Sequence, residues 1–184
     1  MIEVRFHGRG GQGAVTSAEL IAQAAIAQGK FAQAFPSFGP ERRGAPVLAF
    51  LRVSEKPIRL RSRVYKPDAV IILDSTLLGT VNPTEGLKDE GFVIINSHKP
   101  VDDLIMAFPG HNIAYVDATK IAREELGVPI TNTTMLGALV KVTGVVSLES
   151  LEEPVKTRFG INAQKNINAY TRAFNETILL KANG

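Results

Sequence analysis

Three near-continuous apolar runs, at 69–74 (AVIILD), 92–96 (FVIIN) and 113–117 (IAYVD), constrain this chain more than any other feature. Each closes on a polar residue, and none alternates. Runs of this kind belong to strands covered on both faces, as in parallel sheets. Helical patterns separate or follow them, at 118–126, 133–142, 148–159 and 163–180. Pro154 fits only the first turn of a helix, so the third of these is expected to restart there.

The amino-terminal segment reads differently. At 2–6, Ile2, Val4 and Phe6 alternate with Glu3 and Arg5, a period of two that predicts a strand. Gly8, Gly10, Gly11 and Gly13 follow, then a helix over 14–28 with small residues at helical spacing, closed by Gly29. Residues 35–46 (FPSFGPERRGAP) are broken by prolines and glycines and read as a loop carrying Phe35, Phe38, Arg42 and Arg43. Residues 47–53 and 58–64 read as two strands whose short connection forces antiparallel pairing. No repeat or linker interrupts the 184 residues, so a single domain over 1–184 is expected. The expected fold class is α/β: a three-layer, Rossmann-like α/β/α sandwich on a mostly parallel, mixed sheet with an antiparallel hairpin.

Composition narrows the chemistry. The chain is 45% hydrophobic, and a domain above roughly 150 residues buries about 70% of its unfolded surface without help from a disulfide or metal. It has no cysteine, which removes thiolate catalysis and cysteine-held iron–sulfur clusters from this polypeptide. The net charge is only +3, and Arg59, Arg61 and Arg63 are the nearest approach to a basic stripe, so nucleic acid is not the expected partner. No apolar run approaches the ~18 residues of a membrane span and no signal-peptide core precedes the first strand; a cytoplasmic protein is expected.

The turn Gly8-Arg9-Gly10-Gly11-Gln12-Gly13 has G-x-G-x-x-G spacing between a strand and a helix. There, glycines allow a tight turn and the N–H groups of the helix terminus face an anion; close packing of strand on helix is the competing explanation. A nicotinamide fingerprint also needs a carboxylate about 20 residues on. Counting from Gly13 reaches Gln33, and Glu41 lies within the loop. The charges of the first strand, too, are unlike those of a buried central strand. Arg42 and Arg43 could add guanidinium contacts to an anion, and Phe35 and Phe38 suit a protein partner better than solvent. His7, His98 and His111 are scattered without metal-ligand spacing. Asp74, Asn96 and Asp117 would line the carboxyl edge of the sheet as ligand contacts or caps, Asp117 as a helix cap. These residues describe a binding subunit without its own reaction centre.

Three stretches together, HGRGGQGAVTSAELIAQAA at 7–25, QAFPSFGPERRGAPVLAFLRVS at 33–54 and NTTMLGALVKVTG at 132–144, closely resemble the gamma subunit of pyruvate:ferredoxin oxidoreductase and of relatives acting on other 2-oxoacids. The resemblance spans nearly the whole chain apart from its last helix. It implies a CoA-acylating oxidative decarboxylation that reduces ferredoxin, with thiamine diphosphate on alpha and beta subunits and iron–sulfur clusters on delta and beta subunits. In that setting this chain is a non-catalytic subunit that packs on the others and handles coenzyme A. Gly8, Arg9, Gly10, Gly11, Gln12 and Gly13, with Arg42 and Arg43, would meet the nucleotide or a subunit. Phe35, Ser37, Phe38, Gly39, Pro40, Glu41 and Gly44 would meet partners. The SFGPERRGAP wording is closer to pyruvate and branched-chain types. A stand-alone NAD or FAD enzyme and a purely architectural subunit are the competing readings, and self-association into a homodimer is an open outcome when partners are missing.

Overall fold

The computed structural model describes residues 1–37 and 43–182. Seven strands form one sheet: β1 (Ile2–Arg9), β2 (Phe31–Pro36), β3 (Pro46–Ser54), β4 (Ala69–Ile72), β5 (Phe92–Asn96), β6 (Asn112–Val116) and β7 (Ile178–Leu180). Their order is β2-β3-β1-β4-β5-β6-β7. β1, β4, β5 and β6 are mutually parallel, while β3 runs antiparallel to β1 and β2, and β7 antiparallel to β6. The three apolar runs thus become the parallel strands they were expected to be, inside an α/β fold with a mixed sheet.

Among the described residues six α-helices accompany the sheet: α1 (Ala14–Ala27), α2 (Val101–Ala107), α3 (Ala118–Leu126), α4 (Thr134–Thr143), α5 (Glu152–Phe159) and α6 (Ala163–Glu176). Strand alternation sorts them to two faces. Val4, Phe6, Leu51, Ile71, Ile94 and Ala114 point to the face covered by α1 and α3–α6. Val70, Ile72, Val93 and Ile95 point the other way, where Leu104 and Phe108 at α2 close a smaller core. Pro154 stands in the first turn of α5, where its missing N–H costs nothing. Gly137 marks the tightest helix crossing, because a Cβ there would overlap the carbonyl of Tyr170 on α6.

Several expectations are corrected. Residues 58–64 carry no strand. β3 is already paired on both edges, so no edge remains for them, and the antiparallel pairing belongs to β3 with β1 and β2. The expected loop at 35–46 contains the end of β2 and the start of β3; Pro36 and Pro46 are tolerated because they terminate strands. The helix expected to 180 stops at Glu176, since Thr177 is extended (φ −62°, ψ 128°) and Ile178 to Leu180 pair with β6. α2 had not been expected.

β1, despite its charges, is a central strand. Its polar face is buried because each charge has a partner there: Arg52 Nε donates to Glu3 Oε1 (2.7 Å), and Arg5 Nε donates to His7 Nε2 (3.0 Å). Arg5 Nη2 also donates to the carbonyls of Pro83 (2.9 Å) and Glu85 (2.6 Å). Burial, helped by the Arg5 charge, pushes the His7 imidazole down to about 3, so it is neutral and its Nε2 can accept.

Candidate functional site

β1 delivers its last residues into the glycine turn, which is closed from both sides. Gln12 N donates to Arg9 O (2.9 Å), and Arg9 N donates to Gln12 Oε1 (2.7 Å). The returning chain ties down the middle, with Gly10 N donating to Ala45 O (2.8 Å) and Gly44 N to Gly10 O (3.1 Å). Gly11 and Gly13 have φ of 90° and 80°, which L side chains rarely adopt. α1 begins at once after Gly13, with no side-chain cap and no acidic residue in its first turn. The positive end of that helix dipole is therefore uncompensated by any carboxylate of its own first turn.

Arg9 is a strut of this turn. Its Nε donates to Asp74 Oδ2 (3.2 Å), Nη1 to Gly44 O (3.1 Å) and Nη2 to Thr76 Oγ1 (2.9 Å). Gln12 Nε2 donates to the same Asp74 Oδ2 (2.9 Å). Asp74 Oδ1 accepts from Thr76 N (2.9 Å) and Thr76 Oγ1 (2.6 Å). Partial burial alone would raise the Asp74 carboxyl, but the hydrogen bonds from Thr76 and Gln12 and the Arg9 charge outweigh it and hold it below its ordinary value. One carboxylate at the end of β4 thus fixes the turn after β1.

A third element completes the junction. Gly13 O accepts from Ser17 N (2.9 Å) and Ser17 Oγ (3.1 Å), and Ser17 Oγ also reaches Asn132 O (3.2 Å). A Cβ on Gly13 would come within 2.6 Å of Asn132 Nδ2, so glycine is required there by space as well as by φ. Asn132 Oδ1, Thr133 Oγ1 and Thr134 Oγ1 are buried without a hydrogen-bond partner among the described residues. Sequence reasoning used NTTMLG only as a family signature. The signal is a run of four polar residues, Thr131 to Thr134, leading directly into the apolar stretch Met135–Val140 of α4.

Two cavities flank the junction. One, of about 610 Å³, lies where β2 ends and β3 begins and is lined by Arg5, His7, Gly8, Ser37, Leu48 and Leu77 among others. The other, of about 700 Å³, opens at the carboxyl ends of β4, β5 and β6 and is lined by Gln12, Asp74, Asn96, Asp117, Lys120 and Arg123 among others. Asp74, Asn96 and Asp117 line that edge as expected, yet each has structural duties. Asp117 caps α3 through Lys120 N (2.8 Å), and Asn96 bonds Leu73 O (3.1 Å) and Thr119 Oγ1 (3.0 Å).

Of the residues expected at the site, Gly8, Arg9, Gly10, Gly11, Gln12, Gly13 and Gly44 come together, and Arg43 bridges to Gly10. Ser37 N donates to Leu48 O (2.9 Å) at the loop root. Phe35 lies on β2, its ring centroid 5.3 Å from that of Phe50 and 5.6 Å from the Arg52 guanidinium, an intrachain contact. Phe38, Gly39, Pro40, Glu41 and Arg42 lie outside the described residues. Gln33, where a ribose-binding carboxylate would stand, donates to Ile58 O (3.4 Å) instead. No group of three or more potential metal-ligating side chains occurs among the described residues.

A Rossmann-like sheet with a glycine turn opening a helix at its carboxyl edge places the chain among the α/β proteins. The chain belongs to the pyruvate ferredoxin/flavodoxin oxidoreductase family, whose profile matches residues 3–176. It is 54% identical over 183 residues, 97% of this chain and 98% of the relative, to the pyruvate/ketoisovalerate oxidoreductases common subunit gamma of Thermococcus kodakarensis. It is also 54% identical to the pyruvate synthase subunit PorC of Methanocaldococcus jannaschii, over 97% of this chain and 98% of that one. The crystal structure of a pyruvate oxidoreductase subunit PORC from Thermotoga maritima superimposes with a TM-score of 0.87 at 38% identity, covering 98% of each chain. These relatives are subunits of multisubunit 2-oxoacid oxidoreductases and do not support the stand-alone nucleotide enzyme.

Proposed function

We propose that this chain is the gamma subunit of a CoA-acylating 2-oxoacid:ferredoxin oxidoreductase acting on pyruvate. The observation that carries the reading is end-to-end similarity to subunits named for that role. Alpha, beta and delta subunits would supply thiamine diphosphate and the iron–sulfur clusters, and ferredoxin would accept electrons from the assembly. With no cysteine, this chain offers no thiolate ligand for a cluster. Among the described residues no helix is long and apolar enough to cross a membrane. A cytoplasmic location accords with that.

The residues at the glycine turn fit coenzyme A. Its pyrophosphate suits the uncapped start of α1, where the exposed Gly11 has open space around it, and the exposed Arg43 stands at the bridge to Gly10. Coenzyme A supplies the thiol that takes the acyl group. This chain's part is to bind and orient it, with Arg9 and Asp74 holding the turn rigid.

The test is Gly13→Ala in the assembled enzyme. The added methyl meets Asn132 and is strained at φ 80°, so the KM for coenzyme A should rise about tenfold or more while the KM for pyruvate stays. Equal effects on both constants, or on neither, would remove coenzyme A from this turn.

A further inference from the structure

Arg5 is 7% exposed, yet no carboxylate bonds it among the described residues. Its Nε donates to His7 Nε2 and its Nη2 to the carbonyls of Pro83 and Glu85, and it makes no other side-chain hydrogen bond there. The carboxylate of Glu85, an exposed residue, acts on the guanidinium only through space. Burial lowers the Arg5 guanidinium from its ordinary value more than Glu85 raises it. A charge withdrawn from water is ordinarily paired, because carbonyl dipoles alone replace only part of its hydration.

Two N–H donors of this cluster are left over. Arg5 Nη1 has no acceptor among the described residues and is not sealed from open space. His7 is buried and its ring is neutral. Because Nε2 accepts from Arg5, the ring proton stands on Nδ1, a second donor with no acceptor among the described residues and likewise not sealed. Residues 5 and 7 share one face of β1, and both line the cavity of about 610 Å³. Val15, Leu48, Leu77 and Val81 give that cavity aliphatic walls, and Arg5 is its one cation among the described residues. A recess of roughly 300–1,000 Å³ with apolar walls and a few placed polar groups is the usual make-up of a small-molecule pocket. A single cation between aliphatic walls matches one carboxylate, whereas a polyphosphate would leave further charges unpaired.

We propose that this cavity binds a small monocarboxylic acid with an apolar body, its carboxylate against Arg5 and His7 and its body against Leu48, Leu77 and Val81. The acid supplies the counter-charge that the buried guanidinium otherwise lacks, and accepts from both spare N–H groups. The site is built from this chain alone and does not depend on the subunit role or on coenzyme A at the glycine turn.

Calorimetry on the full chain tests this with octanoate as the probe. Octanoate should bind saturably at one site, while octanamide, which lacks the charge, and acetate, which lacks the body, bind about tenfold or more weakly. The nitrogen resonance of His7 Nδ1 should move as octanoate is added. Arg5→Gln should bring octanoate down to the affinity of the amide. Val81→Phe narrows the cavity and leaves Arg5 in place; it should weaken octanoate by about tenfold or more, which keeps the test open if Arg5→Gln does not fold. Equal binding of octanoate and octanamide, equal binding of octanoate and acetate, or no binding of any of them overturns the site. Displacement of octanoate by coenzyme A or inorganic phosphate would make the cavity part of a phosphate site and equally overturn it. A chain that binds no octanoate but fails to assemble with its partner subunits as Arg5→Gln would reassign the guanidinium to a partner's carboxylate, against the proposal.

Discussion

Replacing Asp74 with alanine removes the hub that joins the glycine turn to β4. Four hydrogen bonds end on its two oxygens, from Arg9, Gln12 and twice from Thr76. The Arg9 and Asp74 side chains are 28% and 19% exposed, so the pair is neither a free surface ion pair nor a dry one. Bonds to a charged group are worth about 1.5–3 kcal/mol each when fully shielded. Here water can replace the Thr76 contacts, while Arg9 and Gln12 lose a partner in a partly buried site. A net loss of about 2–3 kcal/mol follows. For a chain of this size that is a fall in Tm of roughly 5–10 °C. Urea unfolding of the wild type, Arg9→Ala, Asp74→Ala and the double variant would measure it, with an expected coupling of about 1 kcal/mol between the two residues. A loss under about 0.5 kcal/mol for Asp74→Ala, or fully additive single effects, would refute the hub.

Three further outcomes are expected. Glu3→Ala removes the carboxylate from the Arg52 guanidinium, which belongs to a residue 1% exposed and whose Nη1 already has no partner among the described residues, and should cost about 3–5 kcal/mol in chemical denaturation. Gly137→Ala drives a methyl into the Tyr170 carbonyl; the usual gain of about 1 kcal/mol for alanine in a helix should be reversed to a net loss of about 2 kcal/mol or more in the same measurement. His7, pushed down to about 3 by burial and Arg5, stays neutral in the folded chain at pH values where the unfolded chain protonates it. Its contribution is therefore complete above the unfolded value near 6.5 and lost as pH falls toward 3, with a slope of up to about 1.4 kcal/mol per pH unit. In His7→Gln that slope should be absent from unfolding curves taken between pH 6.5 and 4.

Much of the fold could be read from hydrophobic pattern, because β4, β5 and β6 are buried on both faces and leave no alternation to misread. The errors fall where partners remote in sequence decide the outcome. Arg5 bonds its near neighbour His7 but also the carbonyls of Pro83 and Glu85, and Arg52 bonds Glu3 49 residues away; no local window contains those remote partners. Residues 58–64 have strand periodicity, but β2 had already taken the available edge of β3. At the site, glycine spacing located the turn, whereas Arg9's commitment to Asp74 and the approach of Asn132 to Gly13 depend on residues 65 or more positions away.

Reconstitution tests the central claim most directly. The alpha, beta and delta subunits would be assayed for pyruvate- and CoA-dependent ferredoxin reduction with and without this chain. Activity should be lost in its absence and return in proportion to the chain added, with pyruvate turned over faster than 3-methyl-2-oxobutanoate or 2-oxoglutarate. Undiminished CoA-dependent turnover without it, or saturable NAD or FAD binding and turnover by this chain alone, would contradict the account.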